Sequence, residues 1–361
     1  MRIDASAGEG GGQLVRTAIA LAAIAGCAVE LTGIRARRRR PGLARQHLAA
    51  VRAVAERCGA RCTGAEAGSS FLRFEPSYPP RGGESRIEIG SAGSVTLVLQ
   101  ALLPVLAVAE SSSRVVVTGG TDVPRAPPWD YFTEIFLPLV ARFGVQAQAR
   151  LLRRGYYPRG GGAIELEVWP QPLRAWSPEI RGDWHVHGTV HVARLAPDVA
   201  ERMRAGAIAV FDRATPISVH TRAAVQSDSA GGAILLRAET DDALLGYARV
   251  AERGVRAEGI GRAVACALAA DLATQASLDV CAADQLAIYY GLAASPARYR
   301  VRALSLHART ALWLVERLRP VRFRAERAGD AWSVEVATAT ARAQARTEWL
   351  PDLGSNQGPA D

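Results

Sequence analysis

Two glycine-rich segments constrain the fold of this chain most. Gly8-Glu9-Gly10-Gly11-Gly12 and Gly90-Ser91-Ala92-Gly93-Ser94 each lead into an apolar run at helical spacing. The first run ends near Gly26 and the second spans Val95 to Val108. Each is followed by a strand-like stretch (Val29 to Ile34; Arg114 to Thr118), a polar loop and a second helical run. Those second runs are Gly42 to Cys58, where Leu43, His47, Val51 and Val54 share a face, and Asp130 to Phe143. Gly59 and Gly144 close them as C-caps. The unit therefore recurs after about 80 residues, a period longer than that of the common solenoids. A third copy is expected to begin near Asp284-Gln285-Leu286, with its second helix at Ser305 to Leu318.

The stretch between the second and third copies reads differently. His185-Val186-His187-Gly188-Thr189-Val190-His191-Val192 alternates as a strand does. A helix (Pro197 to Val210), two strands and an alanine-rich helix (Gly259 to Ala276) follow. The expected fold class is α/β (α+β): three repeated sheet-plus-two-helix units forming a large domain over 1–179 and 277–341, and a smaller inserted α/β domain over 180–276. Residues 342–361 read as a disordered tail.

Composition narrows the chemistry. All 44 Lys+Arg residues are arginine, the net charge is +9, and the pI is about 9.8. Such a balance suits a polyanionic partner. The absence of lysine excludes a P-loop, which needs Lys on the phosphates, and any enzyme that forms a lysyl-adenylate. The five cysteines lack zinc-ligand spacing: Cys58 and Cys62 form one C-x3-C with no second pair, so they read as free thiols of a reducing compartment. No apolar run has the length of a membrane span, and the apolar Thr17 to Val29 lacks a basic leader, so a cytoplasmic protein is expected.

Of the six histidines, His185, His187 and His191 would share one strand face, with no acidic or cysteine partner near them in sequence; ordinary strand residues are the expectation there. His220 stands alone, and His47 lies in a basic segment. His307 opens a helical run, where a histidine is usually structural. Glycine-rich turns at helix starts present N–H groups to anions. Glu9 within the first turn would repel a phosphate unless a divalent cation bridges them, an arrangement that suits Mg²⁺. The run Arg35-Ala36-Arg37-Arg38-Arg39-Arg40 links a strand to a helix whose start carries Arg45 and Gln46, a place where guanidinium forks can hold phosphate.

With these residues in place, the chain resembles the RNA 3′-terminal phosphate cyclases. The resembling segments are Gly8 to Thr17, Ile34 to Ala36, Arg40 to His47, Gly90 to Gln100, Gly119 to Asp122 with Ala126 to Pro128, and Gly155 to Pro158 with Gly160 to Gly162. Ala283 to Leu286, His307-x-x-Thr310, Val315-Glu316 and Pro320 to Phe323 complete the series. They run in order over about residues 1 to 325, which is more specific than any single motif.

The resemblance implies three mixed α/β repeats plus an insert, and a reaction. His307 would take AMP from ATP, the AMP would pass to an RNA 3′-phosphate, and the neighbouring 2′-hydroxyl would displace it to close a 2′,3′-cyclic phosphate. It further implies that Glu9 holds Mg²⁺ or Mn²⁺, and that Arg16, Arg35, Arg38, Arg45 and Gln46 meet the RNA and ATP phosphates. Gln100 and the segment Cys281, Ala282, Ala283, Asp284, Gln285 would form the nucleotide pocket, with Pro127 or Pro128 against the base. Cys281 departs from the tyrosine that bacterial members typically stack on adenine; such a stack is worth about 1–3 kcal/mol, so the choice between ATP and GTP stays open.

Two other readings stand beside this one. A non-catalytic, cyclase-like RNA-binding protein is opposed by the joint presence of Glu9, Gln100, Asp284, Gln285 and His307. An enolpyruvyl-type transferase is opposed by the missing lysines.

Overall fold

The structure, a computed structural model, describes residues 1–8, 10–211, 217–222 and 225–338. Glu9 and the tail at 342–361 lie outside the described residues.

The first repeat runs β1 (Arg2–Asp4), α1 (Gly12–Ala25), β2 (Val29–Thr32), α2 (Arg45–Cys58), β3 (Arg61–Thr63) and β4 (Leu72–Glu75). The second repeats that order with β5 (Gly83–Glu88), α3 (Val95–Ala107), β6 (Ser113–Gly119), α4 (129–142), β7 (Gln146–Arg153) and β8 (Gly162–Trp169). A π-helical turn at Phe132–Phe136 widens α4. Their sheets have the same topology, β1-β2-β4-β3 and β5-β6-β8-β7, with the first pair parallel and the others antiparallel.

The inserted unit comprises β9 (His185–Ala193), α5 (Pro197–Ile208), β10 (Ile217–Arg222), β11 (Gly231–Glu239), β12 (Leu244–Val250) and α6 (Ala257–Ala273). Three strands, not the expected two, separate its helices, because β10 pairs in parallel with β9 at the edge of the sheet β10-β9-β11-β12. The third repeat follows as α7 (Val280–Ala293), β13 (Ala297–Val301), α8 (Leu306–Leu318), β14 (Val321–Ala328) and β15 (Ala331–Thr338).

Its sheet, β13-β15-β14, matches the other two without their leading strand. Ser277 and Leu278 take that strand's place, both donating their N–H to the Arg300 carbonyl at 3.0 Å. The third unit therefore starts ahead of Asp284: α7 begins at Val280, where Asp279 caps it by accepting from the Ala282 N–H at 2.7 Å. Ser94 caps α3 and Ser305 caps α8 in the same way, through Leu97 N–H (3.2 Å) and Ala308 N–H (2.9 Å).

Helices α1 and α3 are apolar on nearly every side, as helices surrounded by protein must be. α1 packs on α2, α3 and α8, so one continuous core joins the three repeats, with Leu14, Ile19, Leu99, Leu102, Phe132, Leu286 and Leu312 fully buried in it. Each such side chain contributes about 1.5–3 kcal/mol when removed from water. A second core, including Val190, Met203, Ile234, Leu236 and Leu268, belongs to the inserted unit. No helix among the described residues is long and apolar enough to cross a membrane.

Candidate active site

The helix starts of the repeats converge on one cavity of about 590 Å³. Gly12, Gln13 and Arg16 come from α1, Arg35 and Arg38 from the loop after β2, and Gln46 and His47 from the start of α2. The second repeat supplies Leu97 and Gln100 from α3, then Arg125, Ala126, Pro127, Pro128 and Tyr131. The third supplies Cys281, Asp284 and Gln285 from α7 and His307 from α8, and the insert adds Tyr247 and Ala248 from β12.

Among the described residues, four guanidinium groups line this cavity against one carboxylate, that of Asp284, so this lining favours an anion. Arg35 stands at φ 54, and its Nη1 donates to the Gly42 carbonyl at 2.7 Å, which ties the arginine loop to the entry of α2. His47 is 3% exposed; its Nδ1 accepts from the Ala44 N–H at 3.0 Å. Burial, assisted by Arg16 and Arg35, pulls its pKa from 6.5 to about 3, so the ring is neutral and adds no charge to the wall. Its proton then sits on Nε2, the nitrogen facing Gly12.

The far side of the cavity is built from paired amides and rings. Gln100 Nε2 donates to Gln285 Oε1 at 2.7 Å, which joins α3 to α7. Gln46 Oε1 accepts from the Ser94 N–H at 3.0 Å, fixing the second glycine-rich turn to α2. Thr96 Oγ1 donates to the Pro127 carbonyl at 2.7 Å and holds the proline segment. Tyr131 Oη donates to Asp279 Oδ1 at 3.1 Å, and Tyr247 Oη donates to Asp271 Oδ2 at 2.7 Å. Burial, reinforced by Asp279, holds both phenols protonated far above their ordinary range, so their rings are apolar wall. Burial also pushes the Asp279 carboxyl up to about 7, against the N–H and O–H donors that gather on it.

Most residues singled out in the sequence thus meet in one cavity: Arg16, Arg35, Arg38, Gln46, Gln100, Pro127, Cys281, Asp284, Gln285 and His307. Arg45 does not line it; its Nη1 donates to the Gly90 carbonyl at 2.6 Å. Ala282 and Ala283 are fully buried on the core side of α7, leaving neither side chain facing the cavity. Glu316 is a structural carboxylate: Oε1 accepts from the Phe323 N–H at 2.6 Å, where β14 begins.

Among the described residues no three His, Cys, Asp or Glu side chains gather as a metal cage. The histidines of β9 sit at alternate positions of an unbroken strand register, and the expectation that no acid lies near them is corrected in space. His191 is 1% exposed, with Nδ1 3.0 Å from Asp130 Oδ2, an acid some sixty residues earlier in the chain. Cys58 and Cys62 are free, with their thiols pushed up by burial. The sequence reading missed Tyr131 and Tyr247; an aromatic in a strand or helix carries no mark of which cavity it will border.

A repeated α/β scaffold whose helix starts enclose an arginine-walled, amide-paired cavity defines a protein that handles phosphorylated ligands. Comparison with known proteins narrows that class. A family described as RNA 3′-terminal phosphate cyclase matches residues 7–325. The RNA 3′-terminal phosphate cyclase of Nitrosospira multiformis is 46% identical over 328 residues, covering 89% of this chain and 92% of that protein. The proteins of the same name from Pyrobaculum neutrophilum and Pyrococcus furiosus are 41% and 38% identical, covering 93% and 87% of this chain and 98% and 92% of theirs. The chain belongs to the RNA 3′-terminal phosphate cyclase family.

Proposed function

We propose that this protein uses ATP to convert an RNA 3′-terminal phosphate into a 2′,3′-cyclic phosphate, with His307 as the nucleotidyl acceptor. Family membership supports the cyclase activity and the RNA substrate. The observation that carries the finer reading is the position of His307, which shares one cavity with four arginines, Asp284 and the Gln100–Gln285 pair.

A phosphate monoester is a poor electrophile, and activation gives it a leaving group that a vicinal hydroxyl can displace. An imidazole nitrogen of His307 attacks the α-phosphorus of ATP; the bond to pyrophosphate breaks and AMP remains on the ring. An oxygen of the RNA 3′-phosphate then attacks that phosphorus, the N–P bond breaks and His307 is restored. The 2′-hydroxyl attacks the terminal phosphorus, AMP departs and the hydroxyl proton passes to solvent. Arg16, Arg35, Arg38 and Arg125 bind the phosphates, and Gln46 and the Gly90–Ser94 turn shape the cavity beside them. Pro127, Tyr131, Tyr247 and Cys281 enclose the base, and the amides of Gln100 and Gln285 meet the nucleotide's polar edge.

The described residues offer no closed cage, so Mg²⁺ or Mn²⁺ would keep mostly ligand and water oxygens, with Asp284 and the sequence-nominated Glu9 as protein carboxylates. When bound, such an ion neutralises phosphate charge. The division into a repeat domain (1–179 and 277–341) and an insert (180–276) belongs to the same reading, the insert bringing Tyr247 to the site.

The test is covalent labelling. Protein incubated with α-labelled ATP and Mg²⁺ should retain acid-labile AMP under denaturing conditions, and His307→Ala with an unchanged melting curve should retain none. Labelling of the variant equal to wild type would move the nucleophile elsewhere.

A further inference from the structure

Tyr157 is the most exposed large apolar side chain among the described residues, at 67% of its surface, yet the chain on either side of it is immobilised. Arg154 and Tyr156 are 6% and 2% exposed. The Tyr156 N–H donates to Ser229 Oγ at 2.9 Å, Ser227 Oγ donates to the Arg154 carbonyl at 3.0 Å, and the Gly160 N–H donates to the Tyr156 carbonyl at 2.7 Å. Gly231 has no room for a side chain, because the Tyr156 ring occupies that place. The phenol ring of Tyr157 therefore projects from a fixed mount, and ordering it against a ligand costs little.

Two arginines flank Tyr157 in the chain. Arg159 is exposed and donates to the Asp228 carbonyl at 3.4 Å. Arg153 is half-exposed, pairs with Asp228 at 3.3 Å and donates through Nε to the Gly161 carbonyl at 2.7 Å. Gly161, at φ +74, has open space where a Cβ would stand, so a phosphodiester can approach its backbone.

The turn is also continuous with the cavity. A Cβ on Gly160 would lie 2.8 Å from Ala92 Cα, so this turn rests on the Gly90–Ser94 turn. That turn in its other direction meets Arg45, through the Gly90 carbonyl, and Gln46, whose Oε1 accepts from Ser94 N–H in the cavity wall.

We propose that the Tyr157–Gly161 turn is a second RNA subsite, where a base of the strand leading to the terminal phosphate stacks on Tyr157 and its backbone meets Arg159. It rests on the reading that the RNA terminus lies in the cavity. Base–aromatic stacking tolerates any sequence, so the subsite selects single-stranded length and not a particular base.

The test compares an RNA of about twelve nucleotides, within the span of known strand-binding sites, with a dinucleotide, both ending in a 3′-phosphate. Wild type should cyclise the longer RNA with the lower KM. Tyr157→Ala should raise that KM at least about fivefold, as a lost stack does, and Arg159→Gln should raise it less. The dinucleotide KM, kcat and labelling by ATP should be unchanged, and Tyr157→Phe should behave as wild type. Equal KM values for the two RNAs in wild type, or equal losses on both RNAs in Tyr157→Ala, would overturn the subsite while leaving the cyclase reading intact. If wild type neither takes up AMP nor cyclises, the cyclase reading fails instead, and fluorescence anisotropy with the longer RNA decides the subsite: Tyr157→Ala must bind it more weakly than wild type, and equal binding overturns the proposal.

Discussion

The imidazole of His47 occupies the place where a side chain on Gly12 would stand. Gly12 is the first residue of α1 and His47 lies in the first turn of α2, so this contact locks together the two helix starts that carry Arg16, Gln46 and the arginine loop between them. The ring cannot swing aside, because its Nδ1 is held by the Ala44 N–H. Gly12→Ala should therefore destabilise by about 1–3 kcal/mol, in the range of overpacking, and abolish AMP labelling. Gly259→Ala is the matched control: it sits in α6 with nothing near its Cβ position, and should gain about 0.5–1 kcal/mol. Thermal unfolding of the two variants against wild type checks both signs.

The same histidine makes stability depend on acid. Its folded pKa of about 3 lies below its ordinary 6.5, so between those values the unfolded chain binds the extra proton. The contribution is fully present above pH 6.5 and is lost progressively as pH falls toward 3. His47→Gln, which keeps an acceptor for the Ala44 N–H, should flatten that part of the profile, with a difference on the order of a few kcal/mol at its acid end. Urea midpoints measured across pH 4 to 7 test this; parallel profiles for variant and wild type would remove His47 as the cause.

Tyr247 separates stability from binding. Its ring borders the cavity, while its hydroxyl donates to Asp271 at 2.7 Å beneath it, where Arg302 Nε also donates at 2.5 Å. Tyr247→Phe leaves the ring and strips a donor from a buried carboxylate, so it should cost about 1–3 kcal/mol of stability and barely change the KM for ATP. Tyr247→Ala should cost more and also raise that KM. Cys281→Tyr tests the neighbouring stretch of wall, where the Val280 N–H reaches the Tyr247 hydroxyl at 3.4 Å: adding a ring to the cavity lining there should tighten ATP binding by up to about 1–3 kcal/mol. Isothermal titration with ATP and GTP reads both, and a gain for one base only would show what Cys281 selects.

Much of this arrangement was legible because it is local. Glycine-rich turns before apolar runs, and Gly26 and Gly59 at αL C-caps, mark helix boundaries within a residue or two. The third repeat was placed too late because its leading strand is replaced by Ser277 and Leu278, which carry no alternation to read. Tyr131 and Tyr247 escaped for a different reason: their roles come from packing between units far apart in sequence. Ala282 and Ala283 show the converse. They share the segment of Asp284 and Gln285, but helical spacing turns them toward the core.

The buried charges under the insert escaped the sequence reading in the same way, and they carry the largest expected stability effect. Arg154 Nη1 donates to both Asp122 oxygens at 3.1 and 3.0 Å, and Nη2 donates to Asp130 Oδ1 at 2.5 Å, while His191 approaches Asp130 from β9. Burial alone would push the Asp130 carboxyl up, but His191 and Arg154 hold it well below the ordinary carboxylate range. Arg154→Met should therefore leave two buried carboxylates without their cation and cost about 3–5 kcal/mol. Arg154→Met with Asp122→Asn and Asp130→Asn removes the stranded charges and should recover part of that loss. Asp130 adjoins Tyr131 at the start of α4, so the single variant should also raise the KM for ATP, and the triple variant should restore it if placement of that helix start is the cause. Urea denaturation beside steady-state cyclisation reads both quantities. A triple variant less stable than the single one would mean that the network stabilises through its hydrogen bonds and not through charge balance.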